Sequence, residues 1–177
     1  MGGGLARLSS VGAEEQALEE IVGDKYVSQE YIDLSHFFIG CRLAWLDDDF
    51  GDLRATVKLS GDDIGRWYSI KMRDKERVAA ENSGKHTVFA ELAVLNSIKK
   101  HVFVQSIHYA FPGPEHVYLV LDIALAGTLA ELNPHRVSES RARFYSAQIV
   151  LALGHVHSSG IIHRDVTLDS VLLLANG

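Results

Sequence analysis

The chain has 177 residues, 47% hydrophobic and 23% charged, the balance of a soluble globular protein able to bury a sizeable core. A net charge of −6 with no basic patch gives no reason to expect nucleic-acid binding. The single cysteine, Cys41, excludes an intrachain disulfide and suits a small buried hydrophobe, and no apolar run approaches the ~20 residues needed to span a bilayer.

The N-terminus has neither a basic region nor a hydrophobic stretch, so no signal peptide is expected, and the reducing cytoplasm is the expected compartment. Gly2 follows Met1, but Ala6 stands where myristoylation needs Ser or Thr. Residues 1 to 12 are rich in Gly and Ser and predict a disordered start. Ala13 to Ile21 has the composition of a short acidic helix.

Short apolar stretches then alternate with turn residues. Phe37 to Cys41, Leu53 to Leu59 and Trp67 to Met72 read as three strands in antiparallel hairpins, punctuated by Gly61, Asp62, Asp63 and Gly65. Lys85 to Lys100 reads as a helix, because Val88, Leu92, Leu95 and Ile98 recur at spacings of three and four. Lys99 and Lys100 in its last turn suit the helix dipole. Val102 to Ala110 and Val117 to Ile123 are two further expected strands, separated by a turn at Phe111-Pro112-Gly113-Pro114.

Gly127 to Leu132 is expected as a short helix. A longer one runs from Ser138, a suitable N-cap, to Ser158, with Gly160 closing it. Its apolar positions Ala142, Tyr145, Ile149, Ala152, Leu153 and Val156 lie on one side. Ile161-Ile162 and Val171 to Leu174 are expected as two short strands around a polar loop. The order is that of a small sheet lobe followed by a mainly helical one.

Four places carry chemistry. Lys71 ends the apolar run Tyr68-Ser69-Ile70, where an ammonium can hold a phosphate as a point charge. Glu91 sits beside the buried face of the following helix, where it can pair with Lys71 or remain solvated. His163-Arg164-Asp165 lies in a polar loop, and an aspartate there can accept a proton from a hydroxyl or simply close an Asx turn. Leu46-Asp47-Asp48-Asp49-Phe50-Gly51 offers one glycine where a phosphate-covering loop needs several, and three aspartates whose charge opposes an anion.

In order and spacing, residues 37 to 177 resemble a eukaryotic serine/threonine protein kinase domain of the AGC group, the cyclic-nucleotide-dependent kinases and their relatives. The telling segments are Tyr68-Ser69-Ile70-Lys71, Val117-Tyr118-Leu119-Val120-Leu121-Asp122, Arg141-Ala142-Arg143-Phe144-Tyr145 and Ser158-Ser159-Gly160-Ile161-Ile162-His163-Arg164-Asp165. The resemblance implies an α+β fold: a five-stranded antiparallel N-lobe sheet with one main helix, then the first part of a helical C-lobe. The implied division is an N-terminal extension over 1–33, an N-lobe and hinge over 34–124, and an incomplete C-lobe over 125–177. It also implies ATP with magnesium as cofactors, a protein substrate or regulatory protein as partner, and no nucleic acid or membrane span.

Residue by residue, Lys71 resembles the lysine on the α- and β-phosphates, and Glu91 its ion-pair partner. Leu121 falls at the gatekeeper position. Asp122 to Ala124 resemble the hinge, whose backbone bonds adenine. Leu53 and Ser69 fall in the wall of the adenine pocket, and Asp165 resembles the catalytic-loop aspartate. The departures are equally specific. The Gly-x-Gly of the phosphate loop is missing, Thr128 stands where an acidic residue often meets the ribose, and Thr167 and Leu168 replace lysine and proline. Ser170 replaces the asparagine that holds the second magnesium; a hydroxyl is a poorer ligand for that ion than an amide carbonyl. The sequence ends at Gly177 before any Asp-Phe-Gly, so no metal ligand is assigned and the 177 residues alone are expected not to transfer phosphate. Three readings stand: a kinase, a pseudokinase that binds or scaffolds a partner, and a remnant without a selected role.

Overall fold

The computed structural model describes residues 33–42, 52–75, 88–132 and 137–174, with side chains throughout except at 40–42 and 88–90. The expected acidic helix at Ala13 to Ile21, the aspartate-rich loop at Asp47 to Asp49 and the helix start at Lys85 lie outside the described residues.

Five strands form one antiparallel sheet: β1 (Phe37–Arg42), β2 (Asp52–Lys58), β3 (Trp67–Asp74), β4 (Ile107–Pro112) and β5 (His116–Leu121), in the spatial order β1-β2-β3-β5-β4. The expected α+β architecture is the observed one. The helix α1 (Val88–Ser97) lies between β3 and β4 in the chain, and α2 (Glu139–Ser158) follows the sheet.

Side chains alternate across β3, so the strand serves two cores. Tyr68 and Ile70 pack with Phe37, Phe111, Tyr118 and Val120 on one face. On the other, Leu119 and Leu121 pack with Val117, Ile107 and Leu92 of α1. Ile70, Leu119 and Val120 are 0% exposed, and full burial of each contributes roughly 1.5–3 kcal/mol.

The β2–β3 hairpin turns through Gly61 and Gly65, both at positive φ, which favours glycine. That turn carries Asp63 back over the sheet, where its carboxylate accepts from the Tyr68 and Tyr109 hydroxyls and lies 3.4 Å from the Lys58 ammonium. Lys58 is only 4% exposed and sits 4.2 Å over the Tyr109 ring, so its charge is met by a carboxylate and an aromatic face. Burial acts to raise the Asp63 carboxyl, but the bonds from Tyr109 and Tyr68 and the Lys58 charge outweigh it and hold the group below the usual carboxylate range. Burial and the adjoining Asp63 push the Tyr109 hydroxyl up to about 12.

Several boundaries differ from expectation. The apolar run at Val102 does not open a strand: Val102 is 78% exposed in a turn closed by the His101–Val104 bridge, and β4 begins at Ile107. Phe111 and Pro112 extend β4 instead of forming the turn. Gly127 to Leu132 is not a helix. Gly127 has φ +80, outside helical geometry, and Thr128 bridges to Leu172. That single bridge replaces the two strands expected at Ile161-Ile162 and Val171 to Leu174.

The long helix forms as its pattern predicts. Ser138 caps α2 by accepting from the Arg141 amide, Ser159 is the C-cap, and Gly160 follows at φ +75 as the left-handed residue that ends a helix. The stripe Ala142, Tyr145, Ile149, Ala152 and Leu153 is half-buried, and Val156 is buried.

Candidate functional site

Period-two alternation in β3 puts Ser69 and Lys71 on the same face, opposite in register to Leu121 and Leu119 of β5. On the other flank, Leu53 and Ala55 of β2 stand opposite Lys71 and Ser69. One face therefore gathers Leu53, Ala55, Ser69, Lys71 and Leu121. Leu53 and Ala55 are buried together, and Ile123 just beyond β5 packs against them as a dry wall.

Lys71 Nζ donates to both carboxylate oxygens of Glu91 on α1, at 2.9 and 3.0 Å. The two side chains are 19% and 35% exposed. Such a partly exposed pair adds at most about 1 kcal/mol to stability. Its consequence is positional: it ties α1 to β3 and fixes where the ammonium points.

At the end of β5, Asp122 is bonded at every polar group. Its amide donates to the Ser106 carbonyl, and its carboxylate accepts from the Ser106 amide at 2.9 Å and contacts His108 Nε2 at 2.6 Å. Its carbonyl oxygen accepts from Ser69 Oγ at 3.0 Å and from Gln105 Nε2 at 2.9 Å. Burial acts to raise the Asp122 carboxyl, but the His108 and Ser106 bonds prevail and hold it below its ordinary value. Ile123 and Ala124 follow with no hydrogen bond among the described residues, and Ala124 is 7% exposed.

The segment carrying Asp165 is stitched to the chain just after Ala124. Ala126 donates to Leu173, Leu173 to Gly127, Leu129 to Val171 and Ala130 to Leu168. Glu131 closes the turn by accepting from the Thr128 amide at 2.8 Å, directly above Gly127, where an added Cβ would meet its carboxylate. These bonds place a loop distant in sequence beside the end of β5. Asp165 itself is exposed and makes no hydrogen bond among the described residues. Arg164 before it is the one non-glycine at positive φ among the described residues, at 71°. Backbone held in this region costs of order 1–3 kcal/mol and persists where the surroundings impose it.

Two further contacts join α2 to the sheet half. His155 Nε2 lies 2.7 Å from the Lys99 carbonyl, and its ring stacks on His101 with centroids 4.5 Å apart.

The donor set suits a nucleotide more than a metal. Lys71 is a positioned cation beside the apolar wall of Leu53, Ala55 and Ile123, and the main-chain groups of Ile123 and Ala124 have no hydrogen bond among the described residues. For a cation, the described residues gather no group of three or more His, Cys, Asp or Glu. Ser170 Oγ donates to the Thr167 carbonyl and accepts from the Thr167 amide, which commits it to a turn. The described residues therefore do not assemble a magnesium site.

Residues 51–177 match the protein kinase domain family. The chain belongs to that family. The kinase domain is 42% identical over 108 residues to the serine/threonine-protein kinase sgk-1 of Caenorhabditis elegans, covering 60% of this chain and 23% of that protein. It is 37% identical over 148 residues to a probable serine/threonine-protein kinase of Dictyostelium discoideum, covering 82% of this chain and 31% of that one. Sgk2 of Rattus norvegicus is 36% identical over 115 residues, 64% of this chain and 31% of its own. The chain thus spans less than a third of the length of these relatives. They bear out the AGC-like serine/threonine resemblance. Kinases of this family use ATP and magnesium on protein substrates. No helix among the described residues is long and apolar enough to cross a membrane.

Lys71 and Glu91 are brought into contact, Leu53, Ser69 and Leu121 share their sheet face, and Asp122 and Ala124 sit at its edge. Sequence reasoning missed Ala55 and the partners of Asp122, and placed Ile123 in the hinge without its packing on Leu53 and Ala55. Ala55 was legible, two positions beyond Leu53 on the same face. Gln105 and His108 carried no signal, because their pairing with Asp122 spans 17 and 14 residues and depends on how β4 docks.

Proposed function

We propose that residues 34–124 form the N-lobe and hinge, and 125–177 the start of the C-lobe, of a serine/threonine kinase that moves the γ-phosphoryl group of ATP to a protein hydroxyl. Residues 1–33 are a separate N-terminal extension. The observation that carries this reading is the bidentate Lys71–Glu91 pair on the face that also bears Leu53, Ser69 and Leu121. Glu91 aims the Lys71 ammonium, which meets phosphate oxygens as a point charge. Leu53, Ala55 and Ile123 supply an apolar wall for the base, with Leu121 behind it and Ala124 at the hinge. Asp165 accepts the proton of the incoming hydroxyl and orients it for in-line attack. Among the described residues no hydrogen bond occupies either of its oxygens, which favours that contact. The protein acts in the cytoplasm.

Bound magnesium supplies charge neutralisation in this chemistry. The 177-residue chain by itself is expected to bind nucleotide without transferring phosphate. A pseudokinase that serves as a binding module is the second reading, favoured by the Ser170 hydroxyl being bound into its turn with Thr167.

Titration of the chain with a fluorescent ATP analogue tests the proposal. Lys71→Met should weaken binding about tenfold, the loss of one charge-assisted contact. Asp165→Asn should leave binding unchanged. Equal affinity of wild type and Lys71→Met would refute the assignment of Lys71. Labelled phosphate transfer by the 177-residue chain, lost in Asp165→Asn, would refute its expected inactivity.

A further inference from the structure

The turn that follows α1 is pinned on both sides of its tip. The Val104 amide donates to the His101 carbonyl at 3.1 Å, the two residues form an isolated bridge, and the Phe103 amide donates to His101 Nδ1 at 3.3 Å. From α2, His155 holds the Lys99 carbonyl and stacks on the His101 ring. A tip held this way keeps its two apolar side chains in water: Val102 is 78% exposed and Phe103 39%.

The residues flanking the tip line a cavity of about 110 Å³. Its lining combines four basic side chains, Lys99, Lys100, His101 and His108, with the apolar Leu95 and Ile98, and no Asp or Glu among the described residues. The adjoining carboxylate, Asp122, is taken up by His108 and the Ser106 amide. Lys99 and Lys100 are exposed, and neither ammonium has a partner among the described residues.

Unpaired ammoniums beside exposed apolar residues suit a partner that is anionic and apolar at once. A nucleic acid would leave Val102 and Phe103 in water, and an uncharged apolar surface would leave the lysines unmet. A leaflet of anionic phospholipid supplies both in layers, negative headgroups outside and acyl chains beneath. The chain's net charge of −6 opposes such a surface at long range. The attraction therefore acts only within about a Debye length, ~8 Å at physiological salt, which a projecting turn can reach.

We propose that the turn at 99–104 is a membrane-surface contact. Val102 and Phe103 enter the headgroup boundary of an anionic leaflet, Lys99 and Lys100 meet the headgroups, and the cavity beside them receives one headgroup. The contact lies on the bilayer and does not span it, and with two lysines and two apolar side chains it is weak and reversible. It uses no residue of the nucleotide site and stands apart from that reading.

Cosedimentation of the 177-residue chain with vesicles tests it. Phosphatidylcholine vesicles containing about 30% phosphatidylserine should retain the chain, pure phosphatidylcholine vesicles should not, and added salt should release it. Lys99→Ala with Lys100→Ala should weaken retention about thirtyfold, the worth of two lysines close to an anionic leaflet. Val102→Ser with Phe103→Ser should weaken it by about tenfold or more. Lys99→Arg with Lys100→Arg keeps the charge and should keep the binding. Unchanged hydrogen exchange of the sheet amides in these variants would assign the losses to the surface and not to unfolding. Absence of retention on the anionic vesicles, equal retention on both kinds, or retention that neither alanine nor serine pair reduces would overturn the proposal. So would loss of retention in Val150→Lys with Leu151→Glu alone, which would make α2 the lipid-binding face. Self-association without vesicles that the serine pair abolishes would also overturn it, making the turn a protein contact.

Discussion

Strands β3 and β5 hold Ile70, Leu119 and Val120 at 0% exposure, whereas α2 buries Val156 alone and leaves Phe144, Val150 and Leu151 more than half exposed. The loop after α2 is similar, with Ile162 72% exposed. Both regions are rich in apolar residues, so composition does not separate them. What separates them is the number of sides on which each element is covered. A central strand is flanked by neighbours in the sheet and packed on both faces, here by α1 residues on one and an aromatic cluster on the other. A helix with apolar residues over a wide arc needs partners on more than one side, and α2 has a half-buried stripe on one. Stability is therefore concentrated in the sheet, and the helical half leans on it through His155, Lys99 and His101.

Large-to-small substitutions give the widest expected contrast. Leu119→Ala or Ile70→Ala should lower stability by about 3 kcal/mol, as loss of a buried aliphatic side chain does, whereas Leu151→Ala should change it by no more than about 0.5 kcal/mol. Urea-dependent hydrogen exchange of the sheet amides measures both. Equal losses at Leu119 and Leu151 would mean that α2 shares one cooperative core with the sheet.

Asp63→Ala comes next. It removes two tyrosine hydrogen bonds and strands the buried Lys58 ammonium, so the sheet should lose about 2 kcal/mol. A loss confined to the β2–β3 turn amides would show instead that the cluster is a local clasp.

Acid should act on the sheet half first. The carboxyls of Asp63 and Asp122 are both held below their ordinary values, so they bind fewer protons folded than unfolded. Their contribution is complete above the unfolded carboxylate pKa and is lost as pH falls through the lower folded value. A denaturation series from neutral pH downwards should show a decline that Asp122→Asn flattens. An unflattened decline would leave Asp63 as its main source.

The smallest effect on stability, and a large one on behaviour, is expected on α2. Val150→Lys combined with Leu151→Glu should leave the sheet within about 0.5 kcal/mol of wild type while reducing dye binding and aggregation. The unaltered chain should melt broadly; a sharp two-state transition would argue that α2 is already well packed.

Much of the fold was legible because its elements announce themselves locally. Strand alternation in β2, β3 and β5 and the Ser138-to-Gly160 frame of α2 rest on neighbours a few residues apart. The misplacements share a cause. At Val102, Gly127 and Ile161, short apolar or glycine-containing runs were assigned by pattern where the chain instead turns, and a short run has too few periods to decide. Helix phase left Glu91 free to pair with Lys71 or to stay solvated, and the family resemblance pointed to the pair that forms. Whether Asp165 faces the same ligand is carried by the bonds that tie 168–173 to 126–130.

The linear order of residues determined the strand and helix periodicities, the caps of α2, the family and the identity of the chemical groups. All of these depend on side-chain type at fixed spacing along one element. The tertiary structure decided which groups are already spent. It set Ser69 and Gln105 on one carbonyl oxygen and Tyr68, Tyr109 and Lys58 around one carboxylate. Hydrogen-bonding capacity is finite and local in space, so its allocation is settled only when strands from distant parts of the chain come into register.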